Sequence, residues 1–256
     1  MRIATWNMNG YSASVKDGSL AALLRLRYDV VCLQETHLPQ KPLPENVAWY
    51  HSRWRCAAQR RSGVAIFTRD QPLAVLDSGV SEVDTEGRLI AVEVPDAWIV
   101  SAYSPTFIRR PQREAYRHLF DETLHSFVER LLDSDKPVVV CGDLNVTAAD
   151  IDCHQAPLYV GTPNHTTQER EAFRRLLDLG LVDVWRLQHP RELKYSWMPV
   201  VPTPLVYRRQ TGTGFRFDYI LASRSAEVIS SDILVAHPGS DHVPVVAEIR
   251  FPMQGK

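Results

Sequence analysis

Gly239-Ser240-Asp241-His242-Val243-Pro244-Val245-Val246-Ala247-Glu248-Ile249 reads as a turn that hands an adjacent carboxylate and imidazole to the start of an apolar strand. Working outward, the same arrangement recurs along the chain. Asn7 stands in Thr5-Trp6-Asn7-Met8-Asn9-Gly10, and Glu35 in Cys32-Leu33-Gln34-Glu35-Thr36-His37. Asp143 and Asn145 stand in Cys141-Gly142-Asp143-Leu144-Asn145-Val146, and Asp218 in Phe215-Arg216-Phe217-Asp218-Tyr219-Ile220-Leu221. Each polar group follows or opens a β-like run, so each is deliverable to one edge of a sheet. Such a set, spread over the whole length, points to one site assembled there.

Strands are predicted at 2–6, 30–33, 63–68, 73–76, 88–94, 97–103, 138–140, 217–222, 228–235 and 243–251, several with β-branched alternation. Ser19 is expected to cap a short helix with Leu20, Leu23, Leu24 and Leu26 on its apolar face. Pro111 opens a longer one with Tyr116, Phe120, Leu124, Phe127 and Leu131 on one side. A third covers 168–177 and stops near Gly180. Two irregular stretches, 150–167 and 198–214, read as long functional loops within the strand series, not as boundaries. With no repeat or linker, the expectation is one α/β domain over 1–256, two sheets packed face to face with helices outside.

An apolar share of 45% and a charged share of 23% suit a soluble chain with ample core and exclude a disordered one. A net charge of -1 makes no global case for nucleic acid. Arginines nevertheless cluster at 53, 55, 60 and 61, at 109, 110 and 113, and at 208, 209 and 216. They read either as solvated loop residues or as a local rim for a phosphate backbone. Cys32, Cys56, Cys141 and Cys153 lack paired metal spacing, and Cys32 and Cys141 fall inside apolar strands as small hydrophobes. No leader is read before the first strand, and no apolar run approaches the roughly 18 residues that span a bilayer. The expectation is a reduced, cytoplasmic chain without a membrane partner.

The strand-end residues suggest a hard divalent cation, which takes carboxylate and other oxygen ligands. Glu35 fits a direct ligand, with Asn7 and Asp241 close behind; standing alone, its other reading is a helix cap or a surface acid. The lack of a Cys/His cage argues against zinc. His242 is either a satisfied core histidine or, with Asp218 fixing its tautomer, an acid–base group. Asp143 and Asn145, two apart, project to the same side, one to take a proton from water and the other to donate to a phosphoryl oxygen. Tyr103, in Ser101-Ala102-Tyr103-Ser104-Pro105, places a phenol at that edge or packs in the core.

Taken in order, Trp6-Asn7-Met8-Asn9-Gly10, Leu33-Gln34-Glu35-Thr36, Ala102-Tyr103-Ser104-Pro105, Gly142-Asp143-Leu144-Asn145-Val146, Arg216-Phe217-Asp218-Tyr219 and Ser240-Asp241-His242-Val243-Pro244 resemble the endonuclease/exonuclease/phosphatase superfamily. Within it the chain is similar to the exonuclease III-type abasic-site (AP) endonucleases. Glu86-Gly87-Arg88, Asp183-Val184-Trp185 and Ile151-Asp152 with Gln168-Glu169-Arg170 extend the likeness over almost the full length. The resemblance implies a four-layer α/β sandwich of two packed mixed β-sheets flanked by helices. It implies that Glu35, Asn7 and Asp241, beside Asp143 and Asn145, hold Mg²⁺ or Mn²⁺. Asp143 would activate water; Asn145, Tyr103 and His242 would stabilise the pentavalent phosphate; Asp218 would orient His242. Arg109 would enter DNA, and Trp197, Phe215 and Phe217 would wall the pocket for a flipped sugar, with Tyr159 and Asn164 in the loop that clamps the strand.

The chain also departs from the pattern. His37 stands where Lys is common, Thr106 where Asn follows the proline, and Tyr159, Thr162, Pro163 and Asn164 where Lys, Asn and Gly make a basic, flexible loop. Those bulkier side chains narrow the room for an extruded nucleotide. The expected activity is Mg²⁺-dependent hydrolysis 5′ of abasic sites in duplex DNA, with 3′-phosphatase and 3′–5′ exonuclease action on blocked ends, by a monomer. The alternatives are a 3′-end-processing enzyme with weak AP activity, or a phosphatase of the same fold on a lipid or small molecule. A non-catalytic DNA-binding module has no need of Glu35, Asp143, Asp218 and His242 together.

Overall fold

Period-two alternation builds the core in this computed structural model, which describes residues 1–39, 43–59, 61–108, 110–198 and 213–252. The strands are β1 (Arg2–Asn7), β2 (Val30–Gln34), β3 (Asn46–Val47), β4 (Tyr50–Arg55), β5 (Val64–Thr68), β6 (Ala74–Leu76), β7 (Leu89–Val94), β8 (Ala97–Tyr103), β9 (Val138–Asp143), β10 (Leu181–Asp183), β11 (Asp218–Ser223), β12 (Glu227–Ile233) and β13 (Val245–Arg250). The helices are α1 (Tyr11–Lys16), α2 (Ser19–Leu24), α3 (Ser81–Thr85), α4 (Glu114–Leu132), α5 (Thr167–Asp178) and α6 (Val184–Gln188). Among the described residues, one sheet runs β12-β13-β1-β2-β5-β4-β3 and the other β10-β11-β9-β8-β7-β6. Both are mixed: β1–β2 and β8–β9 are parallel, and the remaining pairs antiparallel.

Alternate residues of each sheet face the other. Ile3, Val30, Cys32, Val64 and Ile66 meet Ile99, Val139, Cys141 and Ile220 in the central core. The outward set of the first sheet, Trp6, Val31, Leu33 and Phe67, buries Leu20, Leu23 and Leu24 of α2. The outward set of the second, Val100, Val138, Val140 and Leu221, buries Phe120, Leu124, Phe127 and Leu131 of α4 and Phe173 and Leu176 of α5. The result is the expected helix–sheet–sheet–helix sandwich. No helix among the described residues is long and apolar enough to cross a membrane.

Register places the site. In the second sheet Tyr103 pairs with Asp143, and Asp143 with Asp218, so three polar side chains stand in one row at its edge. In the first, Asn7 lies beside Gln34, one residue before Glu35. Gly142 lets β9 approach β8: a Cβ there would sit 1.9 Å from the Ala102 carbonyl oxygen.

Several local expectations need correction. Gly18, in left-handed conformation, is the N-cap of α2, whereas Ser19 lies inside the helix and its hydroxyl donates to Asp17. Leu26 is 44% exposed, because the helix ends at Leu24 before its apolar face comes round again. β3, β4, β10, α1, α3 and α6 escaped prediction; β4 carries Arg53 and Arg55, whose charge masked the strand. The arginine rim is also corrected. Arg55 pairs with Asp77, Arg113 with Glu86, and Arg216 lies buried against Asp152 and Asp183. Arg60, Arg109, Arg208 and Arg209, and nearly all of the 198–214 loop, lie outside the described residues.

Arg216 instead anchors the chain that leads into the site. Its Nε and Nη2 donate to Asp152 at 2.7 and 3.0 Å, its backbone N–H to the Asp152 carbonyl at 2.8 Å, and Arg186 donates to the same carboxylate. Burial raises the Asp152 pKa, but the charges and hydrogen bonds of Arg216 and Arg186 outweigh it and hold the carboxyl low. Asp152→Ala would strand a buried guanidinium, so we expect a loss of about 3–5 kcal/mol in urea unfolding. A loss below about 1 kcal/mol would mean that Asp183 alone suffices.

Candidate active site

Five polar residues form a line, hydrogen-bonded except for one longer charge contact, that crosses from one sheet to the other. Asn7, ending β1, donates Nδ2 to Glu35 Oε1 at 2.7 Å and to Asp143 Oδ2 at 2.9 Å. Asp143 Oδ2 lies 3.7 Å from His242 Nε2, and His242 Nδ1–H donates to Asp218 Oδ2 at 2.8 Å. Asp218 is fixed in turn because Ser196 Oγ accepts its backbone N–H at 3.0 Å. Asn145 donates its backbone N–H to Asp143 Oδ1 at 2.9 Å, and its Nδ2 to the Ser104 carbonyl at 2.9 Å. Glu35 and Asn145 hold left-handed backbone, φ 51° and 45°, which turns their side chains back over the sheet edge.

The line has an unusual electrostatic balance. Burial pushes the Glu35 carboxyl up, yet hydrogen bonds from His37 and Asn7 and the charge of His242 overcome it and hold the pKa at about 2. Burial raises Asp143 to about 7, only partly opposed by His242 and reinforced by Asp218. For His242 burial favours the neutral ring, but Asp218 and Asp143 prevail and raise it to about 10. At neutral pH the line therefore holds a carboxylate, a carboxyl near its midpoint and an imidazolium. Tyr103, whose phenol bonds Glu35, is pushed well above its usual range by burial and by that carboxylate, and stays neutral.

The line floors a cavity of about 520 Å³. One wall is aromatic: Phe215 and Phe217 stack at 5.3 Å, Trp197 lies 5.5 Å from each, and Tyr159 meets Phe215 edge-on at 4.9 Å. Phe215 and Phe217, two apart, share this face while Arg216 between them turns the other way. The opposite rim carries Thr106, Thr162, Pro163, Asn164 and His165.

Every predicted site residue among those described lies on this cavity or in the line beneath it; Arg109 lies outside the described residues. Two make contacts that the sequence did not indicate. Asp241 lines the cavity but accepts from Trp197 Nε1 at 2.9 Å and Asn9 Nδ2 at 3.3 Å, apart from the Glu35–Asp143–His242 cluster whose donor atoms lie within 4.8 Å of one another. Asn164 is buried, accepting from Thr106 Oγ1 at 2.9 Å and donating to Asn145 Oδ1 at 3.4 Å. Asn9, His165 and the contact of His37 with Glu35 at 3.0 Å escaped sequence reasoning. The His37 departure offered one signal, and the motif that holds Asn9 offered another; His165 had none.

Comparisons with known proteins bear on the family and the fold. The profile of the Endonuclease/Exonuclease/phosphatase family matches residues 4–242. An exodeoxyribonuclease of Bacillus subtilis (strain 168) is 35% identical, covering 96% of this chain and 98% of its own. The structure of the 3′ phosphatase NExo from Neisseria, bound to product DNA hairpin, superposes with a TM-score of 0.86 at 27% identity, over 98% of this chain and 100% of that one. An AP endonuclease from Archaeoglobus fulgidus gives 0.83 at 28% identity, over 97% and 98%.

The His242–Asp218 pair sets a measurable titration. Because the folded pKa of about 10 exceeds the ordinary 6.5, the charged ring stabilises the fold fully below pH 6.5, and that stabilisation is lost as pH rises through about 10. In chelator-treated protein we expect the His242 ring signals in NMR to remain those of imidazolium through neutral pH. Asp218→Asn should bring the midpoint down by more than about one unit. A wild-type midpoint near 6.5 would contradict the assignment.

Proposed function

The chain belongs to the Endonuclease/Exonuclease/phosphatase family, and on that premise we propose that it is a metal-dependent DNA repair nuclease. In this reading it hydrolyses the phosphodiester 5′ of abasic sites in duplex DNA and clears blocked 3′ ends. It works as a single catalytic domain and as a monomer in the cytoplasm. The observation that carries the reading is the line Glu35–Asn7–Asp143–His242–Asp218 beneath an aromatic-walled cavity. The floor suits a phosphodiester and the wall suits the apolar face of a deoxyribose.

Asp143, titrating near neutrality, accepts the proton of the attacking water. His242, kept cationic by Asp218, donates to a phosphoryl oxygen as negative charge grows there. Asn145 and the neutral Tyr103 phenol supply further donors at the same edge. The donor set fits a hard cation: Glu35 is ionised, Asp143 lies within reach of it, and Asn7, which now turns Nδ2 to both, would offer its Oδ1 once the amide turned over. His242 is excluded as a ligand while it carries its proton. Mg²⁺ or Mn²⁺, held by Glu35, Asp143 and Asn7, would neutralise phosphoryl charge. Asp241 serves on this account by fixing Trp197 in the wall.

A duplex with one tetrahydrofuran abasic analogue, and a nicked duplex ending in a 3′-phosphate, test the reading with Mg²⁺, Mn²⁺ or EDTA. Cleavage and phosphate release that EDTA abolishes are expected. Hydrolysis of a small phosphomonoester or phosphoinositide with both DNAs untouched would overturn the reading. Glu35→Ala should weaken cation binding in calorimetry while the circular dichroism spectrum persists. Asp143→Asn and His242→Ala should each lower kcat by roughly 10²–10³ or more. The double variant should be little worse than the worse single one, because the groups act as a unit. Multiplicative losses would mean that they act independently.

One observation favours 3′-end processing over internal cleavage. Asn164 fills the rim between Thr106 and Asn145, and Tyr159 occupies cavity space beside Phe215. An internal abasic nucleotide must be extruded into that space, at a cost of a few kcal/mol. Its φ of 70° is one that glycine adopts freely, so Asn164→Gly should keep the backbone path. The ratio of abasic-site cleavage to 3′-phosphate release should then rise. An unchanged ratio would show that the rim does not select the substrate.

A further inference from the structure

Beneath the site lies a buried arginine that the chemistry above does not use. Arg117, on α4, is 1% exposed and gathers three backbone carbonyls from two loops. Its Nη1 donates to the Pro105 and Asn145 carbonyls at 3.1 and 3.0 Å, and its Nη2 to that of Leu144 at 3.0 Å. Nε donates to both oxygens of Asp121, at 3.0 and 2.9 Å, and Glu169 Oε1 lies 3.3 Å from Nη1. Glu169 closes the capping box of α5, its Oε2 accepting from the Thr166 backbone at 3.2 Å. One planar guanidinium thus touches the segment of Thr106 and the segment of Asn145, and through Glu169 it reaches the start of the helix that follows Asn164.

We propose that Arg117 is a positioning residue for the reaction, holding Asn145 in the left-handed backbone conformation that aims its side chain at the phosphate. The inference rests on the reading of Asn145 as a donor to the reacting phosphate. A left-handed backbone at a residue other than glycine carries a cost, smaller for asparagine than for most, that its surroundings offset. The charged donors on the Leu144 and Asn145 carbonyls do so directly, while the Asn145 side chain is held from above by Ser104 and Asn164. Stability gives little reason for the arrangement, since buried ion pairs are often matched by apolar packing. Geometry gives a reason: five donors in one rigid plane fix carbonyls that lie in different loops, which a single ammonium does not reproduce.

A displaced Asn145 would lose contact with the transition state more than with bound DNA, so the defect belongs in kcat. The test is a double-mutant cycle of Arg117→Lys and Asn145→Ala, with kcat and KM on the abasic duplex and the melting temperature of each variant. We expect Arg117→Lys to lower kcat at least tenfold with KM within about twofold, and to cost no further activity in the Asn145→Ala background. General loosening of the fold would lower activity equally in both backgrounds. Such an additive result, alongside an impaired Asn145→Ala, overturns the inference and leaves the reading of Asn145 intact. An Asn145→Ala enzyme of full activity overturns that reading itself. Should Arg117→Lys fail to fold, Asp121→Asn, which frees Nε but keeps the guanidinium, carries the same cycle and the same outcomes.

Discussion

One carboxamide joins the two sheets at the point where the chemistry is assembled. Asn7 leaves β1 of one sheet and donates both to Glu35, which follows β2 of the same sheet, and to Asp143, which ends β9 of the other. The separation of those carboxylates is therefore set by how the sheets pack. A second buried contact between the sheets, Gln34 Nε2 to Ser101 Oγ at 3.1 Å, lies one residue before Glu35 and two before Tyr103. Loss of inter-sheet packing anywhere in the Ile3–Cys32–Val139–Cys141 core would be felt at the site as a change in distance between acids.

Holding those acids together in a buried place is unfavourable in itself, and the surroundings show how the cost is spread. Glu35 takes its stabilisation from His37, Asn7 and Tyr103 and remains charged. Asp143, raised by burial and by Asp218 and Glu35, with His242 and the Asn7 hydrogen bond opposing them only in part, is left near neutrality. Its readiness to accept a proton thus comes from being the least compensated acid of the group. His242 is the converse: Asp218 and Asp143, with a smaller contribution from Asp241, outweigh its burial, and its charge follows from them. One line of contacts yields a base and an acid because compensation along it is uneven.

What was legible in the sequence was whatever breaks an apolar run. Asn7, Glu35, Asp143, Asp218 and His242 each interrupt such a run at a strand end, and register brings their strands together. Contacts made from loops left no such mark. Asp241, adjacent to His242, read as a companion of Glu35, yet its carboxylate turns to Trp197, forty-four positions earlier. Arg216 read as part of a surface rim because nothing local announces Asp152, sixty-four positions away, as its partner. Arg117 sat unnoticed on the polar side of a helical pattern. An arginine's burial is decided by acids and carbonyls brought in by other segments, and no short-range pattern encodes that.

The departures from the family pattern then take on a structural sense, because two of them touch. Thr106 offers its hydroxyl to Asn164, and the Asn164 amide passes the contact to Asn145. The Asn164 carbonyl accepts from the backbone and hydroxyl of Thr147, at 2.9 and 3.2 Å, which secures its left-handed turn from below. Replacing either residue alone would leave a buried polar group short of a partner, so the pair behaves as one change. It lies at the rim, while Glu35, Asp143, Asp218 and His242 beneath it keep the family's motif. On the proposed reading, a chain built in this way keeps phosphodiester hydrolysis in its strand ends and leaves the choice of DNA end or interior to loop contacts. The two meet at Asn145, whose side chain belongs to the rim and whose backbone N–H belongs to Asp143.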